Sequence, residues 1–361
     1  MAGTVFITRK FPPSVGGMET LASDVWATLS AGAATPTHLI AHGGANRLLP
    51  LWLPGATIRL VALVLRRKVD LVLTGDVVLH LLLAPLLRLL GVRHATMAMG
   101  KDVVWSPAWY QRVIARVLPR APHVLAISSA TAAAAVAAGA PPERVDVVRL
   151  GVEDPGLDAA ASLAAAAELR AATGIGDDEL VVLTLGRLVR RKGVVWFLRS
   201  VVPHLPANVV YLVAGDGVDA PRARAAVDEL GLGDRVRLLG AVPDAERERL
   251  MRGADVFVQP NIPVDGDMEG FGLVAVEAAM RGSLVVAASL EGLRDAVVDG
   301  ETGLLLPPGD PAAWSERLSA LAADRTATRE LAARFQVQCR RRYARENMGR
   351  ELCQVLGIPV R

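Results

Sequence analysis

Aromatic side chains are scarce in this 361-residue chain, at 4%, and that scarcity argues against a stacking platform for single-stranded nucleic acid even where basic residues gather. Cysteine is nearly absent. Cys339 and Cys353 both fall in the C-terminal tail, without metal-ligand spacing, and are expected to be reduced thiols. No G-x-G-x-x-G follows the first strand-like run, which disfavours a nicotinamide dehydrogenase. No apolar run is expected to reach membrane-spanning length: Val77 to Leu87 is the longest candidate and contains His80 and Pro85. The opening residues lack the basic, apolar, cleavage-site order of a signal peptide, since Met1 leads straight into TVFIT, and a cytoplasmic location is expected.

Apolar residues are abundant, at 52%, with long Ala, Val and Leu stretches that suit helices packed on buried parallel strands. The length suggests two domains, each able to bury its own core. The net charge of +3 conceals an asymmetry. Through Arg120, 13 Lys and Arg stand against 5 Asp and Glu, a surplus of eight that leaves the remainder net acidic by five. A basic first half can meet phosphate groups, nucleic acid or an anionic membrane face, or can simply be a solvated basic surface.

Strand-like runs recur at Thr4 to Thr8, Thr37 to Ala41, Leu71 to Thr74, His94 to Ala98, His123 to Ile127 and Val145 to Arg149. Helix-like runs separate most of them, such as Met18 to Ser30 and Thr131 to Ala138, the latter stopped by Gly139 and two prolines. The texture turns to Asp, Pro and Gly at Glu153 to Asp158, where a connection is expected, followed by a helix over Ala159 to Ala172. A second series follows at Leu180 to Leu185, Val209 to Ala214, Val236 to Leu239, Val256 to Gln259, Leu284 to Ala288 and Gly303 to Leu306. The alternation predicts two α/β, doubly wound, Rossmann-like halves facing a central cleft, with ligands beyond the carboxyl ends of the strands. The expected domains are 1–155 and 156–335, with a helical tail at 336–361 packing back toward the first.

Four stretches of the second half carry site chemistry. In GDMEGFGLVAVEAAMRG, Glu269 and Glu277 flank Gly270, Phe271, Gly272 and an apolar helical run. Such a loop can lay backbone N–H groups against an anion at a helix N-terminus while the carboxylates hold hydroxyls. A surface acidic loop before a core helix reads the same way. In GRLVRRKG, Arg187, Arg190, Arg191 and Lys192 crowd one loop, where two cations aimed inward would neutralise a diphosphate and a solvated loop is the alternative. The AGDG turn containing Gly215 lets a ligand approach the backbone, and GAVPDAE, with Val242, offers backbone groups to a nucleobase edge.

In this order, and with PPSVGGMET, VLAISSATAAAAVAAGAPPERVDVVRLGVE and LEGLRDAVVDGETGLLLPPGD, the chain resembles glycosyltransferase family 4, retaining enzymes of the GT-B fold. The resemblance implies that Arg187 and Lys192 bind and stabilise the departing nucleoside diphosphate, and that Glu277 holds the ribose hydroxyls. It places Glu269 beside the donor sugar, with the backbone of Gly270, Phe271, Gly272 and Leu273 on sugar and phosphate, and brings Gly16 and Gly17 close to phosphate and acceptor. The partners implied are a nucleotide-sugar donor and an acceptor that is a small molecule, a glycan or lipid-linked, with no nucleic acid. No cofactor or metal is expected, and Asp265 and Asp267 are read as an acidic loop. Where the family often carries His-Gly-x-Asp, this chain has Met99, Gly100, Lys101 and Asp102. A thioether shuttles no protons, which leaves open a pseudo-glycosyltransferase, a sugar-nucleotide epimerase or a non-catalytic binding protein; His42 and His94 are the substitutes at hand. The basic first half, including Arg66, Arg67 and Lys68, is also read as a peripheral contact with an anionic membrane, at its inner face.

Overall fold

Short, fully apolar runs have no polar face to turn to solvent, so they are stable only when covered on both sides, as in parallel sheets. In the computed structural model, which describes residues 3–14, 16–156 and 159–361, they form two such sheets. The first holds β1 (Gly3–Thr8), β2 (Thr37–Ala41), β3 (Val69–Thr74), β4 (Arg93–Ala98), β5 (Val124–Ala126) and β6 (Val145–Val147). They pair in the order β2-β1-β3-β4-β5-β6, every pair parallel. β5 and β6 are shorter than expected because the chain leaves the sheet early at that edge.

The connecting helices are α1 (Gly17–Gly32), α2 (Leu49–Leu65), α3 (Val77–Leu89), α4 (Lys101–Val104), α5 (Ala108–Val117) and α6 (Ser129–Ala137). Parallel crossovers are right-handed, so the step back from β2 to β3 puts α2 on the face opposite α1, and the later helices follow α2. The packing agrees. Ala56 and Leu60 of α2 share one core with Leu79, Leu83 and Leu87 of α3, and Val77 of α3 shares the next with Ile114 of α5 and Ala135 of α6.

α2 was not anticipated, and it corrects the expectation about apolar length. Asn46–Leu65 is 20 residues, with a mean hydropathy of 1.9 over an 18-residue window, long and apolar enough to cross a membrane by length and composition. Pro50 and Pro54 obscure the run in sequence, yet the first sits at the helix start, where the missing N–H costs nothing.

The second sheet holds β7 (Leu180–Leu185), β8 (Val209–Ala214), β9 (Val236–Gly240), β10 (Val256–Gln259), β11 (Leu284–Ala288) and β12 (Leu304–Leu306). Its order is β12-β11-β10-β7-β8-β9, again all parallel. Around it run α7 (Ala159–Thr173), α8 (Val194–Ser200), α9 (Ala220–Glu229), α10 (Asp244–Gly253), α11 (Leu273–Met280), α12 (Leu293–Ala296), α13 (Pro311–Ala323) and α14 (Arg325–Tyr343). Asp255, just before β10, anchors this layer: its carboxylate accepts from Arg170 of α7 at 2.6 Å and from the Val181 amide at 2.9 Å, with Arg325 and Arg329 of α14 within 3.5 Å.

The chain divides into one unit of Met1–Val152, Asp265–Phe271 and Tyr343–Arg361 and another of Glu153–Val264 and Gly272–Arg342. This differs from the boundaries read in sequence. The 265–271 segment goes with the first unit because its backbone packs there: a Cβ on Gly270 would meet the Met99 carbonyl oxygen at 2.3 Å, and one on Gly266 would meet Ser106 at 2.8 Å. The tail splits at Tyr343, and α15 (Arg345–Val355) lies on α1, with Arg345 paired to Asp24 at 2.7 Å. The last two residues of the connection expected at Glu153 to Asp158 lie outside the described residues. Cys339 and Cys353 are free and buried, and burial pushes the Cys339 thiol up to about 12.

Candidate active site

In the second unit the loops that follow β7, β8 and β10 close on one another at the carboxyl ends of the strands. Gly193 has φ 68°, and a Cβ there would meet the Pro260 carbonyl oxygen at 1.9 Å; the Ile262 amide donates to the Arg191 carbonyl at 2.9 Å. Gly215 approaches the Gly186 carbonyl as closely, so neither position admits a side chain. The AGDG turn and the GRLVRRKG loop thus form one floor. Lys192 ends the short 3-10 turn Arg190–Lys192 and is buried there, whereas Arg187 and Arg190 are exposed. Of the four cations in this loop, Lys192 is the most deeply buried, with Arg191 half-buried beside it.

α11 begins beside that floor. Gly272, its N-cap, has φ 102° and packs next to Gln259 at the end of β10 and Leu293 of α12. Leu273 opens the helix, and Glu277 stands one turn in, half-buried, paired with Arg247 of α10. Arg247 had no signal in the sequence, since its partner lies thirty residues downstream. Val242 sits half-buried in the loop after β9, whose Gly240 carbonyl accepts from the Gly215 amide at 2.6 Å.

In the first unit a second group forms at the carboxyl end of β4. Met99 and Gly100 turn the chain there, with Gly100 at φ 94°, and Gly270 packs directly on the turn. Glu269 is buried beside it. The Phe271 ring is buried and meets Tyr343 edge-on, 6.1 Å between centroids. Asp102 ties the turn together: its carboxylate accepts from the Met99 amide at 2.8 Å and the Val77 amide at 3.0 Å. Next to it, Asp76 caps α3 and pairs with Arg9 at 2.8 Å. Arg9 and Asp76 were missed in the sequence; the only cue was the Gly-Asp pair before an apolar helix, an N-cap signature.

Gly16 caps α1, where a Cβ would press on Glu19, itself paired with Lys10 at 3.1 Å; Gly17, the first helical residue, has open space around it. His42 follows β2 and lies tilted against Trp52, 5.4 Å between ring centroids, whereas His94 is the second residue of β4, at the opposite end of the strand from Met99. His94 therefore cannot replace the missing histidine.

Burial, and then repulsion from Asp76, push the Asp102 carboxyl up to about 7. A folded-state value above the unfolded value of about 3.9 means the folded chain keeps a proton that the unfolded chain has lost. Stability from this group is therefore greatest below about pH 4, declines as pH rises toward 7 and levels off above it. The unfolding free energy of the wild type, read from urea titrations, should fall across that window relative to Asp102→Asn, by a few kcal/mol in all at about 1.4 kcal/mol per pH unit. Parallel profiles for the two proteins would rule this out.

Residues 17–154 match a family model described as "Glycosyltransferase Family 4", and residues 166–342 match one described as "Glycosyl transferases group 1". The chain is 32% identical over 220 residues to a D-inositol 3-phosphate glycosyltransferase of Corynebacterium urealyticum, covering 57% of this chain and 50% of that one. It is 39% identical over 194 residues to the protein of the same name from Mycobacteroides abscessus, covering 50% and 40%. The chain thus spans about half the length of the curated relatives it matches. Among solved structures, HepE of Anabaena in complex with UDP and glucose aligns with TM-score 0.75 at 21% identity over 99% of this chain and 100% of that one. Sucrose-phosphate synthase of Thermosynechococcus elongatus aligns with TM-score 0.76 at 21% identity over 98% of both. These likenesses establish the GT-B fold. With its two halves matched in turn by the two family models, the chain belongs to the family 4, group 1 glycosyltransferases.

Proposed function

We propose that this chain moves a sugar from a nucleoside-diphosphate sugar to an acceptor hydroxyl with retention of configuration. The observation that carries the reading is the floor formed by the loops after β7, β8 and β10, where a buried Lys192 and the start of α11 present fixed positive charge at the ends of parallel strands. Lys192 and Arg187 hold the diphosphate, and Glu277 accepts from the ribose hydroxyls. The acceptor oxygen attacks the anomeric carbon on the face the leaving group departs from, the bond to the diphosphate oxygen breaks, and that oxygen takes the acceptor proton. No protein base is needed on this route, so Met99 in place of histidine is compatible with turnover. The charge that builds on the leaving group is met by cations and amides already in place, without a metal cofactor. The UDP bound by HepE and the glycosyl transfer in the relatives' names support a UDP-sugar as the first donor to test.

The test is calorimetric binding and slow nucleoside-diphosphate release across UDP-, GDP-, ADP- and dTDP-sugars. One donor should bind and be hydrolysed. Glu277→Ala should weaken its binding about 10- to 100-fold, the range expected for losing hydrogen bonds to a charged group. An epimerised sugar would instead identify an epimerase of the same fold, binding without release under any acceptor would identify a binding protein, and no binding at all would overturn the proposal.

A further inference from the structure

Helices that are apolar all round belong in a core, yet only one face of α2 is in one. Ala56 and Leu60 face the sheet, while Leu51, Ile58 and Leu65, seven residues apart and so on one stripe, are 80%, 70% and 69% exposed. The neighbouring α3 adds Leu89 at 84%, and α5 adds Trp109 at 61%. α2 and α3 share one core and α3 and α5 the next, so these side chains lie on one layer of the first unit.

The charges around them have one sign. Between Gly44 and Pro142 there are eleven Lys and Arg and three Asp. Asp76 and Asp102 are buried, and Asp70 pairs with Arg93 at 3.6 Å. Arg59, Arg66, Arg67 and Lys68 are exposed beside the α2 stripe, and so are Arg112 and Arg116 on α5. Arg88 reaches from α3 to the Arg120 carbonyl at 3.1 Å, joining the ends of α3 and α5 into one basic margin.

We propose that this layer lies on an anionic lipid bilayer, with Leu51, Ile58 and Leu65 in the headgroup–acyl boundary and the flanking cations on the lipid phosphates. Charge complementarity selects this occupant. A second copy docked through the same face about a twofold axis would bring like charges together, whereas apolar side chains ringed by Arg, Lys and Trp suit a bilayer interface. α2 lies in the plane rather than across the membrane, because Ala56 and Leu60 remain the cover of β1 and β3.

The experiment is co-sedimentation of the full chain with vesicles of phosphatidylcholine alone and of phosphatidylcholine mixed with phosphatidylglycerol, at low and high salt. The wild type should pellet with the mixed vesicles at low salt and be released by high salt. Arg66→Gln/Arg67→Gln/Lys68→Gln should partition roughly a hundredfold less, near fivefold for each cation. Leu51→Asp/Ile58→Asp should lose at least tenfold, with thermal melting and donor binding unchanged because both side chains are exposed. Failure of the wild type to pellet, or equal partitioning of the Leu51/Ile58 variant, would overturn the proposal. So would an oligomer dispersed by that variant in vesicle-free solution without lipid binding, since a second copy would then cover the face. No nucleotide enters the assay, so its outcome is independent of the donor chemistry.

Discussion

Lys192→Ala should lower the rate of nucleoside-diphosphate release by about 10²- to 10³-fold, the loss typical of removing one fixed group that meets developing transition-state charge. The size follows from how the side chain is held. Lys192 is 9% exposed, in a turn that Gly193 presses against the Pro260 carbonyl, so its ammonium needs no reorganisation as the diphosphate departs. Arg187 shares the loop but is exposed, and screening by solvent and salt should limit Arg187→Ala to about tenfold. Lys192→Arg should not restore the wild-type rate, because a planar fork does not fit where a compact charge is enclosed. Steady-state release assays with melting curves on each variant decide the matter. A loss below tenfold for Lys192→Ala in a folded protein would move the leaving-group role elsewhere.

Asp255→Ala should be the most destabilising single change in the second unit. The carboxylate is buried and collects Arg170, Arg325, Arg329 and the Val181 amide. Arg170, at 5% exposure, would be left charged and buried without its counter-ion. Breaking a buried pair in this way costs about 3–5 kcal/mol, which for a unit of this size lowers the melting temperature by roughly 10 °C. Adding Arg170→Leu should recover part of the loss, because the orphaned charge goes with it. Calorimetric melts of the two variants test both statements; a shift of a degree or two for Asp255→Ala would mean that the arginines find water instead.

The strands were legible because a buried parallel strand needs only a short β-branched and apolar run between breakers, as in VVYLVA or LVVAA, and their number and order in the chain specify two doubly wound sheets. α2 was not legible, because LPLWLPGATIRLVALVL lacks the alternation of apolar and polar positions that marks a surface helix, and its prolines read as breaks. The GRLVRRKG loop announced a cluster of cations, but four cations in eight residues look alike on paper.

By itself the sequence determined the fold class, the family and the loops where a site would form, since strand runs, glycine turns and charge clusters are properties of a few neighbouring residues. Only the tertiary structure decided that Lys192 is enclosed and Arg187 is not, that Arg247 is the partner of Glu277, that Asp102 ties the Met99 turn to α3, and that 265–271 packs with the first unit. Each of those depends on segments tens to hundreds of residues apart meeting in space. Burial, ion pairing and backbone contact follow from that meeting, and no local pattern encodes it.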